Sequence, residues 1–356
     1  MSTREKDRII EIETEHAYDL KSLFEVLKDV LHETPIEITR GSKQNNKKEE
    51  SESEDESDDD SDESDSDSDK KKKAVKKAVK KKPSPKTKKK TNSKNDGMIK
   101  ILTLNENKTL IVSVKLEASN FTNFYAKYDT YDIGIDLNHL HNFMRSVDKD
   151  GTLTILIRED DKQKIVFKIE NKERKSDDEF KLKLMDINKK QYKIPEQEFD
   201  MKVTMKTEDF HKMCRDMSTI GIYMAITCTD KKIEFSCKGS VSERTKTFRN
   251  GTGATIRVVD KSEDKKLKDK KLNIIKEIYD LRNLTLFNKC SNLCENIEIL
   301  LRNKNPLFII YRVATLGEMK VGFVPVDESL LNKNSNYNDQ EDKYYEDGQD
   351  DIKIKE

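Results

Sequence analysis

The stretch 181–200, KLKLMDINKKQYKIPEQEFD, decides the fold. Leu182 and Leu184 alternate with lysines, so its start reads as the end of a half-buried strand. Past Asp186 the alternation stops, and Ile194-Pro195 biases the backbone to an extended, non-helical path. A new strand is expected over 199–205. The segment therefore leaves one folded unit and enters another. It holds no glycine, and Ile194 and Phe199 are apolar on what must be a surface crossing. Apolar anchors beside a constrained backbone suit docking of a partner peptide; an ordinary linker with a few packed residues is the blander reading.

Working outward, 356 residues give room for two domains of ordinary size. Charged residues make up 39% against 33% hydrophobic, too polar for a compact globule, and one low-complexity block explains much of the excess. Lys+Arg and Asp+Glu both number 69, so only local clustering can argue for nucleic acid. No apolar run approaches membrane-spanning length, and MSTREKDR lacks a signal-peptide core. An intracellular protein, neither secreted nor membrane-bound, is expected. The cysteines at 214, 228, 237, 290 and 294 are odd in number and irregularly spaced, which suits reduced thiols.

On the N-terminal side a short strand is expected over 9–12, and a helix over 17–31 with Leu20, Leu23, Phe24, Leu27 and Val30 at helical spacing. A strand begins at 36–38, and then the pattern collapses. Residues 49–69 are fourteen Asp or Glu and seven Ser, and residues 70–94 carry fourteen Lys. Neither half buries enough apolar surface to offset ordering, so 42–97 is expected to be disordered. Strands resume at 99–104 and 110–116, followed by an aromatic, β-prone run over 121–135. A short helix with Leu137, Leu140, Phe143 or Met144, and Val147 comes next, then strands at 152–157 and 165–169 and the approach to the connector.

Beyond the connector, Thr207 is expected to cap a helix burying Phe210, Met213 or Cys214, Met217 and Ile220. Strands follow at 224–229 and 233–237. Residues 241–270 read as a polar stretch with one strand at 254–259. A fourth helix is expected near 280–290, and closing strands at 297–301, 307–314 and 319–324. Helix starts fall near 16, 136, 207 and 280. With the disordered block set aside the chain is a four-fold repeat of one helix plus several strands, an α+β protein of two similar domains. The domains are 1–180, holding the 42–97 insert, and 201–328, joined by the 181–200 connector; 329–356 is a mobile acidic tail.

Enzyme motifs fail. GxxxxGK[ST], HExxH, GxSxG and paired CxxC are all missing. Cys290 and Cys294 have no second ligand pair, so packing thiols are expected rather than a metal site, and no cofactor is implied. Opposite the apolar stripes lie Lys21 and Lys28, Arg145, Lys212 and Arg215, and Arg282 and Lys289. A seven-residue step is nearly two turns, so Lys21 and Lys28 share a face, as do Arg282 and Lys289. A solvated charged face is the plain reading of any one helix. Recurrence in all four repeats favours a basic wall that touches phosphates without reading sequence, diluted by Glu25, Asp29 and Asp216.

LKLMD followed by KIPEQEF resembles the interdomain connector of the eukaryotic sliding clamp family, proliferating cell nuclear antigen (PCNA). DFHKMCRDMSTIG resembles the helix opening that family's second domain, LKSLFEVLKDVL its first helix and IGIDLNHL the approach to its second. NPLFIIYRV and GEMKVGFVP resemble its closing strands. The resemblance implies two similar α+β domains whose copies close as a homotrimer, helices lining the inside of a ring and sheets outside. It makes Lys21, Lys28, Arg145, Lys212, Arg215, Arg282 and Lys289 the DNA-facing cations. It makes Leu104, Ile111, Tyr192, Ile194, Pro195, Phe199, Pro306, Phe323, Val324 and Pro325 the partner-peptide pocket. This sequence departs from the family pattern at Tyr192, in place of an aliphatic residue, and at Val321-Gly322, in place of two tyrosines. Ser22 and Asn142 stand where the family has lysines. Asp230 stands where it has a modified lysine.

The resemblance implies a non-catalytic DNA polymerase sliding clamp, a processivity factor for DNA replication and DNA repair. Its expected partners are double-stranded DNA, DNA polymerase, a clamp loader and other clamp-binding-motif proteins, with no membrane. The nucleus or a viral or cytoplasmic replication compartment is the expected location. Two other readings are a checkpoint-type clamp subunit of a mixed ring, which the intact KIPEQEF connector argues against, and a monomeric polymerase accessory factor, which needs a more basic face.

Overall fold

The computed structural model describes residues 7–41, 97–171, 173–187, 192, 198–259 and 274–327. The first domain runs β1 (Arg8–Thr14), α1 (Ala17–Val30), β2 (Glu33–Thr39), β3 (Met98–Leu104), β4 (Leu110–Glu117), β5 (Asn123–Ala126), β6 (Thr130–Asp136), α2 (Leu137–Met144), β7 (Gly151–Arg158), β8 (Lys164–Asn171) and β9 (Ser176–Lys183). The second runs β10 (Met201–Lys206), α3 (Thr207–Ser218), β11 (Tyr223–Cys228), β12 (Lys232–Lys238), β13 (Glu243–Asn250), β14 (Gly253–Val258), β15 (Ile275–Asp280), α4 (Leu281–Thr285), β16 (Asn296–Leu301), β17 (Leu307–Val313) and β18 (Gly317–Phe323). The helix starts expected near 16, 136, 207 and 280 fall at 17, 137, 207 and 281.

Local chemistry explains where the helices begin. The Asp136 carboxylate accepts from the His139 amide at 2.9 Å, and Asp280 accepts from the Arg282 amide at 2.8 Å; both are N-caps. Thr207 does not cap as expected. β10 runs straight into α3, which puts Lys206 at the cap position with no side-chain bond, and the buried Thr207 hydroxyl instead faces Cys294 Sγ at 3.7 Å. The fourth helix is also shorter than expected. α4 ends at Thr285, and a 3-10 turn (Asn288–Asn292) follows. Asn283, Thr285, Asn288 and Asn292 are poor helix formers, which explains the break.

Five strands form one sheet in the order β5-β1-β7-β8-β9, and thirteen form a second, β15-β11-β12-β13-β14-β10-β16-β17-β18-β4-β3-β2-β6. The second domain thus runs into the first through β18 and β4, which pair antiparallel from Gly317↔Leu116 to Phe323↔Leu110. Two strands, β13 and β15, were not expected. β13, ERTKTFRN, buries only Phe248 and shows no apolar alternation, and β15 buries Ile275, Ile278 and Tyr279 from a mixed sequence.

The 42–97 insert lies outside the described residues except for Gly97, which belongs to the fold. β2 and β3 close on each other at Thr39↔Met98, and the Gly97 carbonyl accepts from the Ala118 amide at 2.8 Å. A Cβ on Gly97 would meet the Thr39 carbonyl oxygen at 2.4 Å, so no larger residue fits. Ile194, Pro195 and the 329–356 tail also lie outside the described residues.

Strand register sorts the junction residues onto two faces, because residues directly opposite share a face. Leu104, Ile111, Gly322 and Phe308 form one row across β3, β4, β18 and β17. Leu110, Phe323 and Leu307 form a row on the other face. Phe323 was expected in the partner pocket beside Ile111, but it is 2% exposed and packs edge-on against Phe287, ring centroids 5.5 Å apart. It is core, pointing away from Ile111. Phe323→Ala is therefore expected to destabilise the protein by about 3–5 kcal/mol in denaturant unfolding, whereas Ile111→Ala, on the half-buried row, costs markedly less.

Behind Phe287 lies a buried polar knot. His211 stacks on Tyr311 with ring centroids 5.8 Å apart and planes at 10°, and Phe287 also stacks on Tyr311, centroids 6.4 Å apart. Neither His211 ring nitrogen nor the Tyr311 hydroxyl has a hydrogen-bond partner of good geometry among the described residues. Burial, helped by the Arg215 charge, drives the His211 imidazole from 6.5 down to about 4. The unfolded chain takes up this proton first, so the stability it contributes is full above about pH 6.5 and is lost as pH falls toward 4. Between pH 7 and 5 this should cost about 2 kcal/mol. His211→Phe should flatten that part of the acid dependence in denaturant midpoints.

Candidate functional site

The helices make one layer. α1 packs beside α2, α3 beside α4, and the 3-10 turn after α4 contacts both α1 and α3. All seven expected DNA-facing cations sit on this layer, but their surroundings divide them. Arg145, Lys212 and Arg215 are exposed and have no carboxylate partner among the described residues. Arg282 is exposed but folds back on its own cap, Nη2 lying 2.6 Å from Asp280 Oδ2.

The remaining three are partly buried and engaged. Lys21 Nζ donates to the Arg145 and Val147 carbonyls at 3.0 and 2.9 Å, so it closes the C-terminal end of α2, where a cation complements the helix dipole. Lys289 reaches from the second domain to Glu25 (3.3 Å) and Asp29 (2.9 Å) on α1, and Lys28 lies 3.3 Å from Asp29. Burial works to raise the Asp29 carboxyl, but the hydrogen bonds from Lys289 and Lys28 outweigh it and hold it below its ordinary value. Close by, the His141 imidazole is held below its ordinary value, first by burial and then by the charges of Lys28, Lys289 and Arg145, with Glu25 opposing. Cations from α1, the end of α2 and the 3-10 turn therefore do converge, around a carboxylate pair that sequence spacing flagged only as dilution. A phosphate approaching this layer meets three open cations and a partly neutralised centre.

The opposite, outward side of the junction carries the other candidate surface. Leu104 and Ile111 are half-buried neighbours on the β3–β4 row, and Pro306 precedes β17 at the same end. Val324 is 42% exposed, and its amide donates to the Thr109 carbonyl at 3.1 Å, which ties the chain after β18 to the start of β4. Pro325 follows it, half-buried. Phe199 packs edge-on against Phe308, centroids 5.7 Å apart, so the end of the connector is pinned to this face. Tyr192 is half-buried.

Sequence reasoning missed two members of this surface, Phe308 and Lys320, and noted Gly322 only as a departure from the family pattern. Gly322 has the Phe308 ring across it, a Cβ there would lie 2.6 Å from that ring, and so the aromatic group on this row comes from β17 instead of β18. Lys320 Nζ sits 4.4 Å from the Phe308 centroid and 5.2 Å from the Phe199 centroid. Burial holds its ammonium below the ordinary value, and it makes no carboxylate contact among the described residues. The signal was present in the period-two alternation of MKVGF, which puts Lys320 and Gly322 on one face and Val321 and Phe323 on the other.

Comparisons with known proteins agree with this geometry. The family description "Proliferating cell nuclear antigen, N-terminal domain" matches residues 75–192, and "Proliferating cell nuclear antigen, C-terminal domain" matches 193–325. A "Probable DNA polymerase sliding clamp" of Acanthamoeba polyphaga mimivirus is 33% identical over 236 residues, covering 66% of this chain and 48% of the relative. The chain thus spans about half the length of that relative. A "Probable DNA polymerase sliding clamp 1" of Paramecium bursaria Chlorella virus 1 is 25% identical over 228 residues, 64% of this chain and 84% of that one. The crystal structure of proliferating cellular nuclear antigen from Entamoeba histolytica superposes with a TM-score of 0.65 at 18% identity, covering 90% of this chain and all of that one. It shares the fold. The two family domains abut at 192 and 193, inside the connector, and together match most of the chain, which belongs to the proliferating cell nuclear antigen family of sliding clamps.

Proposed function

We propose that this chain is a non-catalytic DNA polymerase sliding clamp. Copies joined head to tail as a homotrimer encircle duplex DNA and hold polymerase and other replication and repair proteins to it. The domains are 1–180 and 201–328, with 181–200 as the connector between them. The observation that carries the ring is a pair of strand edges at equivalent places in the repeat. β18 pairs with β4, and their counterparts in the repeat are β9 and β13. β9 ends its sheet, and β13 meets β14 only at Arg249↔Gly253 and Asn250↔Ala254. Joining β9 of one copy to β13 of the next repeats the internal junction and removes both exposed edges. The charges suit it: β9 opens with Asp177, Asp178 and Glu179, and β13 carries Arg244, Lys246 and Arg249.

Inside such a ring the helix layer faces DNA. Lys21, Lys28, Arg145, Lys212, Arg215, Arg282 and Lys289 line it, with Arg145, Lys212 and Arg215 carrying most of the phosphate contact, since the others are engaged. Phosphate contacts position a protein without reading sequence, which leaves the ring free to slide. On the outside, Leu104, Ile111, Tyr192, Ile194, Pro195, Phe199, Pro306, Val324 and Pro325 receive partner peptides, and Phe323 supports them from the core. Loading calls for a separate ATP-driven clamp loader. The two viral relatives support a replication compartment, nuclear or viral, as the site of action.

Three expected results test this. Light scattering of the purified protein should give the mass of a trimer; a lone monomer, or assembly only with other subunits, would overturn the homotrimer. Changing Asp177, Asp178 and Glu179 together to Lys should yield monomers that keep their native circular dichroism. Charge reversal at Arg145, Lys212 and Arg215 should shorten retention on nicked circular DNA, whatever its sequence. Reversal at Arg282 should do less, and wild-type binding should fall steeply with salt.

A further inference from the structure

The outward row at the domain junction has an occupant in the chain itself. We propose that the C-terminal segment 337–350, YNDQEDKYYEDGQD, folds back onto the half-buried Leu104 and Ile111, the open part of the row beside the buried Phe308, and shields it from other peptides. Tyr344 and Tyr345 would lie on the apolar row, and their flanking carboxylates would reach Lys320. This rests on the reading of that row as a peptide-docking surface.

The row asks for this chemistry. Its centre combines apolar surface with one cation: Lys320 stands over Phe308 at 4.4 Å and over Phe199 at 5.2 Å. On the same face Lys202 lies 2.8 Å from Glu298 and Lys100 3.7 Å from Glu37, whereas Lys320 and the more exposed Lys115 beside it have no carboxylate partner among the described residues, and of these two only Lys320 lies against the rings. A half-buried ammonium against two rings is favourably met by an aromatic group with a carboxylate beside it. Residues 337–351 hold three tyrosines and seven carboxylates against one lysine, the only such combination in the sequence.

Position and reach agree. The chain leaves β18 at the row's own end, where the Val324 amide bonds the Thr109 carbonyl, two residues from Ile111. Tyr344 lies 17 residues beyond Asp327. At about 3.3 Å per residue that is a reach of up to about 55 Å, ample to return to a row starting next to it. A tether of this length presents the segment at an effective concentration on the order of millimolar, so weak contacts suffice for occupancy.

The test uses a fluorescein-labelled peptide of residues 337–350 as the probe, read by anisotropy against the full-length protein. Full-length protein carrying Tyr344→Ala and Tyr345→Ala should bind the probe at least tenfold more tightly than the unsubstituted protein, whose own tail competes. Adding Lys320→Glu to that variant should abolish the gain, and a probe with both tyrosines replaced by Ala should bind neither protein. Equal affinity of both proteins would leave the row free for another protein's peptide and overturn the proposal, as would probe binding that ignores Lys320. Ring mass and retention on circular DNA, measured on the same variants, separate the two readings. If both persist while the probe result fails, only the tail assignment falls. If both are lost, the clamp reading falls with it.

Discussion

The ladder between β4 and β18 is the constraint on which the rest depends. Seven residue pairs, from Gly317↔Leu116 to Phe323↔Leu110, join two domains that would otherwise each expose a strand edge. An unpaired edge is a template for association, and pairing it within one chain fixes the relative placement of the domains through backbone hydrogen bonds instead of side-chain fit. Gly317 shows how closely the strands meet. A Cβ there would lie 2.0 Å from the Lys115 carbonyl oxygen. The register also decides chemistry, because a slip of one residue would turn Phe323 outward and Ile111 inward. Core and proposed peptide surface are two sides of one ladder.

The helix layer is locked across the same boundary by weaker means. Lys289 spans from the second domain to Glu25 and Asp29 of the first. The three side chains are 29–42% exposed, and exposed ion pairs contribute about 0–1 kcal/mol, so this bridge orients the helices more than it stabilises the fold. Its larger effect is on the field. Each cation paired with a carboxylate is removed from the positive wall, and at physiological salt charges beyond about 8 Å are screened. In the proposed ring, grip on a duplex then depends on the few open cations. Weak, local contacts of that kind suit a protein held on DNA by closure around it rather than by affinity.

Much of this was legible in the sequence because periodicity survives without tertiary context. The helix starts and the alternating strands each follow from one-dimensional spacing. What was not legible depended on neighbours. β13 is nearly solvent-exposed and has no apolar alternation to find. β15 is buried by β11 and the helix layer, although its own sequence is mixed. Thr207 has a capping side chain, but the strand before it leaves the cap position to Lys206. Phe323 was misplaced because a motif gives the residues of a surface without their faces, whereas the β4–β18 register gives both. The helix cations were found by spacing, but no spacing rule could reveal that Lys21 closes α2 or that Lys289 bridges the domains.

The departure at Val321-Gly322 has a physical consequence for what this surface can hold. With glycine on β18, no side chain stands up from that position, and Phe308 on β17 leans across the gap instead. The ring is fully buried, capped by Phe199 on one side and by the Lys320 ammonium above. An aromatic group held this way cannot swing aside to admit a large anchor, and its removal would open a void beside Phe199. The open part of the row shifts toward Leu104 and Ile111, with Lys320 at its rim. On the proposed docking reading, anchors on this surface must therefore lie shallow and offer a negative charge beside their apolar face. A deep, neutral hydrophobic plug finds no hole to fill here, because Phe308 already fills it.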